Sequence, residues 1–160
     1  MFSRTPQGGL AAEAAIAFGD DLAADPSMSL RAGNALDEYR EAPPFDARLD
    51  AATPAYLEAH YWGMAHLDPL SWRHYLPHFI RYAEEHWNEP DATAIDALLA
   101  SLRPPDRDPP RLGSLSEAQA QVVGRLLDGL AFGDDSAWSE PAMQLLEEYW
   151  GPGALYRTGP

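Results

Sequence analysis

Five histidines are the residues of this chain best suited to chemistry, because an imidazole binds metal ions and exchanges protons near neutral pH. His74 and His78 are four residues apart, which places both on one face of a continuous helix. Pro77 lies between them, and we expect it to redirect the second ring. His-Glu-x-x-His and Glu-x-x-His are both absent, and there is no cysteine to complete a site. We therefore predict no metal and no cofactor.

The histidines have a simpler structural interpretation. An imidazole has an apolar body and a polar tip, so it suits a helix end or the edge of an aromatic core. We expect these positions for all five, which are His60, His66, His74, His78 and His86.

Nucleophilic catalysis has no support in the sequence. No serine stands in a Gly-x-Ser-x-Gly elbow, and the serines occur mainly where helices are expected to start. Gly8-Gly9 and Gly151-Pro152-Gly153 lack the spacing of a phosphate-binding loop. We expect no catalytic residue, and we predict that the protein is not an enzyme.

The pentapeptide Ala-Phe-Gly-Asp-Asp occurs twice, at residues 17–21 and 131–135. We interpret both copies as helix stops, because glycine adopts the left-handed conformation that follows a last helical turn. If they also have a function, their carboxylates are exposed acceptors for Arg or Lys of a partner. The candidate contact residues are Asp20, Asp21, Asp134 and Asp135, with Trp138 and Glu140 beside the second pair.

The five tryptophans are expected mostly in the core, because they lie on the apolar stripes of the predicted helices. Trp72 and Trp138 fit those stripes least well. We therefore predict that these two line a groove or an interface, where Trp138 would anchor a partner.

The charge balance restricts the possible partners. The chain has 25 acidic and 11 basic side chains, a net charge of -14, and every basic residue is arginine. Such a surface repels phosphate backbones, so we expect no nucleic-acid partner. The simplest explanation of the charge is solubility. The functional alternative is a field that attracts a basic protein.

Two further absences concern location. The chain has no cysteine, which fits a reducing compartment. It has no apolar run of signal-peptide length near its start and no 18-residue apolar stretch. We expect a cytoplasmic protein without a membrane partner.

Residues 67–87 are the expected structural centre. Asp68 followed by Pro69 is a helix-start signal, since the carboxylate can cap and proline fits the first turn. Pro77 lies two turns later, where it removes a backbone hydrogen bond. We predict a short helix to about Tyr75, a bend, and a second helix from Pro77, with the core nucleating on this kinked pair.

Helical periodicity continues on both sides of this centre, and no run alternates with the period of a strand. We predict a single all-α domain of about seven or eight helices over residues 1–160. Residues 1–9 are expected to be a flexible start, residues 103–114 a Pro-rich surface loop, and residues 151–160 a tail.

Four segments, in order, resemble a family of small bacterial helical domains of unknown function. They are Leu36-Asp37-x-Tyr39, then Leu67-Asp68-Pro69 with Trp72-Arg73-His74-Tyr75-Leu76-Pro77, then Leu115-Ser116-x-x-Gln119-x-x-Val122, and Leu146-Glu147-Glu148-Tyr149-Trp150. The most specific is the Leu-Asp-Pro to Arg-x-Tyr-Leu-Pro block, although Trp-Arg-His-Tyr departs from the family's Phe-Arg-Phe-Tyr-like form. The resemblance covers about residues 10–150. It implies a cytoplasmic helical protein and transfers no catalytic residue.

Three hypotheses for function follow. The first is an acidic protein-binding module, most concretely an immunity protein that binds and occludes a basic toxin domain. The second is an enzyme or small-ligand binder that uses the histidine and aromatic centre. The third is a housekeeping or regulatory domain.

Overall fold

The computed structural model describes residues 9–155. Backbone hydrogen bonds form helices along this whole range, separated by turns and loops. Eight α-helices and no strand lie within this range, so the all-α prediction is confirmed. The helices are α1 (Leu10–Ala17), α2 (Gly19–Ala23), α3 (Leu30–Asp37), α4 (Pro54–His60), α5 (Pro69–His86), α6 (Thr93–Ser101), α7 (Glu117–Phe132) and α8 (Ser139–Leu145). Two 3-10 turns, Tyr61–His66 and Leu112–Ser114, and a π-helical turn, Leu146–Trp150, complete them.

Several helices begin at side-chain caps that the sequence predicts. The Asp68 carboxylate accepts the Ser71 N–H at 3.3 Å, and Pro69 follows at the first helical position. Ser116 and Gln119 form a complete capping box at the start of α7. Thr53 caps α4 by accepting the Tyr56 N–H at 3.1 Å. These ends are therefore stabilised locally before any tertiary packing.

The prediction of two helices separated at Pro77 is wrong. Helix α5 is one helix of 18 residues with Pro77 inside it. A proline in this position removes only its own N–H bond to the carbonyl four residues earlier. Tyr75 and Leu76 before it, and Phe79 and Ile80 after it, are all fully buried. The burial on both sides holds the helix together through Pro77.

The core surrounds α5, which packs against α1, α2, α6 and α7. Trp72 and Phe79 of α5 are fully buried, as are Leu98 of α6 and Leu126 of α7. The predicted central position of this segment is confirmed. Among the described residues, no helix has both the length and the apolar character needed to cross a bilayer.

Helix α3 and the 3-10 turn Tyr61–His66 approach each other at two glycines. A Cβ on Gly63 would lie 2.2 Å from the Leu30 carbonyl oxygen, and one on Gly33 would lie 2.5 Å from the Gly63 carbonyl oxygen. We expected the helix from Pro54 to continue beyond Gly63 as an α-helix. Instead it ends at His60 and tightens into the 3-10 turn that makes this contact.

Helix α3 also ends earlier than expected. The sequence places its stop at Ala42-Pro43-Pro44, but the last helical residue is Asp37. Tyr39 follows with a φ of 61°, the left-handed conformation that terminates a helix.

Candidate functional site

The two copies of Ala-Phe-Gly-Asp-Asp lie in different structural contexts. In the first copy, α1 ends at Ala17 but α2 begins at once, so Asp20 and Asp21 lie inside a helix. The second copy does end a helix, because α7 stops at Phe132 and Gly133 is its C-cap. The second copy alone is therefore a helix stop, and there Gly133 is extended, with φ -71° and ψ 141°, and not left-handed as we expected.

Asp21 is a structural bridge between three helices. Its carboxylate accepts Arg73 Nε of α5 at 3.2 Å and Gln119 Nε2 of α7 at 2.9 Å. Its carbonyl oxygen lies 2.9 Å from His74 Nδ1. Asp20 beside it is exposed, and no described residue pairs with its carboxylate. Of the first pair, only Asp20 is available to a partner.

The two acidic pairs do not form one patch. Asp21 contacts Gln119 in the first turn of α7, while Asp134 and Asp135 follow the last residue of the same helix. At a rise of 1.5 Å per residue, the distance along α7 from Gln119 to Phe132 is about 20 Å. A partner contact can therefore centre on one pair, not on both.

Trp138, the aromatic anchor predicted beside Asp134 and Asp135, is buried in the structure. Trp138 is 9% exposed, and its indole N–H donates to the Glu89 carbonyl at 3.1 Å. Trp72 is fully buried, with its indole N–H 3.1 Å from Ser101 Oγ. Both indoles are thus satisfied inside the fold, which explains their burial despite their positions off the apolar stripes. The exposed tryptophan is Trp62, at 58%.

Phe132 is the exposed aromatic residue next to the second acidic pair. It is the last residue of α7 and 59% exposed. It lies two residues after the buried Leu130, so it falls off the apolar stripe of its helix. The position of Phe132 in the sequence therefore already indicated that its ring would be exposed.

Several exposed carboxylates lie near Phe132 in the sequence. Asp128 is four residues before it on the same side of α7, and the exposed Asp134 and Asp135 follow it directly. Glu140 is exposed in the first turn of α8, which packs against α7. We call Asp128, Phe132, Asp134, Asp135 and Glu140 the Phe132 face.

The carboxylates of the Phe132 face have no ion-pair partner among residues 9–155. Arg125 lies one turn before Asp128 on α7, but its guanidinium is paired with Glu13. Other arginines of this range are paired with other acids, including Arg31 with Asp50, Arg73 with Asp21 and Arg103 with Glu148. The face therefore keeps an uncompensated negative charge around an exposed ring.

The histidines show no common site. His74 and His78 lie on one side of α5 with ring centroids 5.9 Å apart, so the expected redirection by Pro77 is wrong. Burial, and secondarily Arg81 and His74, lowers the pKa of His78 to about 4. Within residues 9–155, no group of three or more His, Asp or Glu side chains is arranged to hold a metal ion.

The other three histidines have separate partners at the edges of the fold. His66 Nε2 lies 3.1 Å from Asp37 Oδ1, and His86 Nδ1 lies 2.7 Å from Glu89 Oε2. His60 contacts the Asn34 side chain at 3.4 Å. Burial, followed by the charge of Arg31, lowers the pKa of His60. These contacts tie neighbouring segments together.

A buried acid, Asp50, is the remaining candidate for chemistry. Its oxygens accept Arg31 Nε at 2.9 Å, Arg31 Nη2 at 3.1 Å, the Asp46 N–H at 2.8 Å and the Tyr56 hydroxyl at 2.8 Å. Burial alone raises the pKa of Asp50, but these donors together lower it below its usual value. Four donors fill the capacity of a carboxylate. Asp50 therefore joins α3, α4 and the segment before α4.

These observations define a helical protein with one continuous core and an acidic face at the end of α7. Residues 7–154 match the model of a family of unknown function, DUF6714, and the chain belongs to that family. Membership of a family of unknown function agrees with the resemblance seen in the sequence. No curated protein and no solved structure matches the chain.

Proposed function

We propose that this chain is a protein-binding module for a basic partner, most concretely a cytoplasmic immunity protein that binds and occludes a basic toxin domain. The observation that supports it is the Phe132 face, where an exposed aromatic ring ends α7 and exposed carboxylates without an ion-pair partner among the described residues precede and follow it in the sequence. This face takes the place of Trp138 as the site of contact.

The two kinds of group on the face have different roles in binding. Carboxylates attract a basic surface over about a Debye length, ~8 Å at physiological salt, and mainly raise the association rate. An aromatic ring that becomes desolvated on contact mainly slows dissociation. Phe132 supplies such a ring at the centre of the acidic residues.

The face is also rigidly supported. Leu126, Leu127 and Leu130 are fully buried in the preceding turns of α7, and Gly133 N–H donates to the Gly129 carbonyl at 2.9 Å. A face held in one conformation loses little entropy when a partner binds. Its substitution should therefore change binding without changing the fold.

The test begins with the genes beside the one for this chain, since an immunity protein should be encoded next to its toxin. A neighbouring basic domain would be purified and its binding kinetics measured from low to high salt. Association should slow as salt rises, while dissociation changes less.

Matched variants separate local contact from net charge. Asp134→Arg should slow association more than Asp96→Arg, which makes the same charge change at an exposed position on α6. Phe132→Ala should speed dissociation about tenfold or more, whereas Trp62→Ala should not. Equal effects within each pair, or binding indifferent to salt, would refute the proposal. So would the absence of binding to any neighbouring basic domain.

A further inference from the structure

The Pro-rich loop, residues 103–114, contains a buried arginine that forms no salt bridge with any described residue. Arg111 is only 2% exposed, and none of its three side-chain nitrogens has a hydrogen-bond acceptor among the described residues. Burial, and secondarily Arg107, lowers the pKa of Arg111 to about 10. The group is therefore still charged at neutral pH. An unpaired buried charge is costly, so its presence requires an explanation.

The nearest acid in the loop cannot serve Arg111. Asp106 Oδ1 accepts the backbone N–H groups of Arg107, Arg111 and Leu112, each at 2.8 Å, and Oδ2 accepts that of Gly113 at 2.7 Å. Burial by itself raises the pKa of Asp106, but these four donors lower it overall. The carboxylate is occupied in shaping the loop.

A cavity of about 380 Å³ opens beside this cluster. Ser101, Arg103, Asp106, Arg107, Arg111 and Leu112 are among its lining residues. Three of the chain's 11 basic residues thus lie at one cavity in a protein with a net charge of -14. Among the residues that line it, these three arginines face a single carboxylate, that of Asp106.

The guanidinium of Arg111 also lies over an aromatic ring. Its Cζ lies 5.1 Å from the centroid of the Trp72 ring. The Trp72 indole N–H is in turn fixed by Ser101 Oγ at 3.1 Å, and the Ser101 hydroxyl donates to the Leu98 carbonyl at 2.7 Å. The buried guanidinium therefore keeps its positive charge at a fixed position beside the cavity, where it attracts an anion.

We propose that this cavity binds a small phosphate, either the inorganic ion or a phosphomonoester, with Arg107 as its direct ligand and the buried Arg111 supplying positive charge from behind the cavity wall. The bound phosphate would supply the counter-charge that Arg111 lacks. Arg103 at the rim is paired with Glu148 at 3.0 Å, so its charge is largely compensated. This site does not depend on the proposed protein partner.

The test is calorimetric titration of the purified full chain with inorganic phosphate and with methyl phosphate, at matched ionic strength against chloride. Thermal unfolding in the same solutions gives a second measure, since a ligand that binds only the folded state raises Tm. Wild-type protein should bind phosphate and unfold at a higher Tm in its presence. Tighter binding of methyl phosphate than of phosphate would identify a phosphomonoester as the ligand.

Three variants decide whether the binding is at this cavity. Arg107→Gln should weaken phosphate binding about tenfold or more, because a charge-assisted bond is lost. Arg111→Met should abolish the phosphate response, because it removes the buried positive charge beside the cavity. Its Tm in chloride reflects two opposing changes, the loss of the contact with Trp72 and the removal of an unpaired buried charge. Arg48→Gln, at an exposed position outside the loop, should bind as wild type does.

Two results would overturn the proposal. One is the absence of binding by wild type at phosphate concentrations up to about 20 mM. The other is a phosphate response that Arg107→Gln reduces no more than Arg48→Gln does. If Arg111→Met does not fold, the comparison of these two surface variants still decides the question.

Discussion

Arg111 stacks on Trp72, with its guanidinium carbon 5.1 Å from the centroid of a ring that is fully buried. The contact joins the Pro-rich loop to α5. Trp72 falls off the apolar stripe of its helix, and it is covered here by an arginine from a segment that begins about 30 residues later in the chain. A desolvated cation–π contact contributes about 2 kcal/mol, so it helps to hold this loop against the core.

Asp106 should be the residue that most determines the shape of this loop. Asp106→Ala leaves four backbone N–H groups without their acceptor and should cost about 2–3 kcal/mol of unfolding free energy. Asp108→Ala is the matched control, because Asp108 is exposed in the same loop and should change stability by less than about 0.5 kcal/mol. Urea denaturation measures both. Equal losses would show that Asp106 does not organise the loop.

Gly63 should be intolerant of a side chain. Its Cβ would lie 2.2 Å from the Leu30 carbonyl oxygen, so Gly63→Ala must push α3 away from the 3-10 turn and should cost more than about 2 kcal/mol. Gly124→Ala in α7 is the control. It meets no atom within 4 Å and should be neutral or stabilising by up to about 1 kcal/mol. Thermal unfolding of the two alanine variants distinguishes a steric requirement from the general effect of removing a glycine.

Local signals in the sequence were sufficient for the class of fold and for most helix starts. Ser116 with Gln119, and Asp68 with Pro69, act through neighbouring residues, so their effect can be read without tertiary structure. The continuity of α5 could not be read in this way. Pro77 acts locally to interrupt the helix, but the burial of residues on both sides, which is a tertiary effect, overrides it.

The candidate sites were less predictable, because exposure depends on which segments cover which. The indole N–H of Trp138 donates to the Glu89 carbonyl in the segment after α5, and this long-range contact has no sequence signature. Arg111 gave no signal either, since an arginine in a polar, Pro-rich segment is expected at the surface. Phe132 could have been recognised from its position two residues after Leu130.

The first acidic pair provides a test of which carboxylates are structural. Asp21→Ala removes the acceptor of Arg73 and of Gln119, and it should cost about 1–3 kcal/mol because both donors are partly or fully buried. Asp20→Ala, at the exposed neighbouring position, should stay within about 0.5 kcal/mol of wild type. If Asp20→Ala were the more damaging change in chemical denaturation, the assignment of Asp21 as the bridge would be wrong.

His78 should make the protein less stable as the solution becomes mildly acidic. Its pKa is lowered to about 4 in the folded protein, whereas an unfolded histidine has a pKa of about 6.5. Between these two values the unfolded chain binds more protons, so unfolding becomes easier as pH falls. The stability that the neutral His78 contributes is fully present above about pH 6.5 and is lost as the pH falls towards 4. The unfolding free energy should therefore fall by about 1–2 kcal/mol between pH 7 and pH 5.

The variant His78→Gln isolates this effect, because glutamine keeps a polar side chain of similar length but does not titrate. Wild type and variant share every carboxylate, so the acidic groups of the chain affect both equally. The difference in unfolding free energy between pH 7 and pH 5 should therefore be smaller in His78→Gln than in wild type by about 1–2 kcal/mol.

Leu126→Ala serves as a control for lowered stability. The cavity that this substitution leaves should lower the unfolding free energy by about 2–5 kcal/mol relative to wild type. The loss should be the same at both pH values, since no titrating group is removed. A pH dependence unchanged by His78→Gln would mean that this imidazole stays solvated in the folded protein.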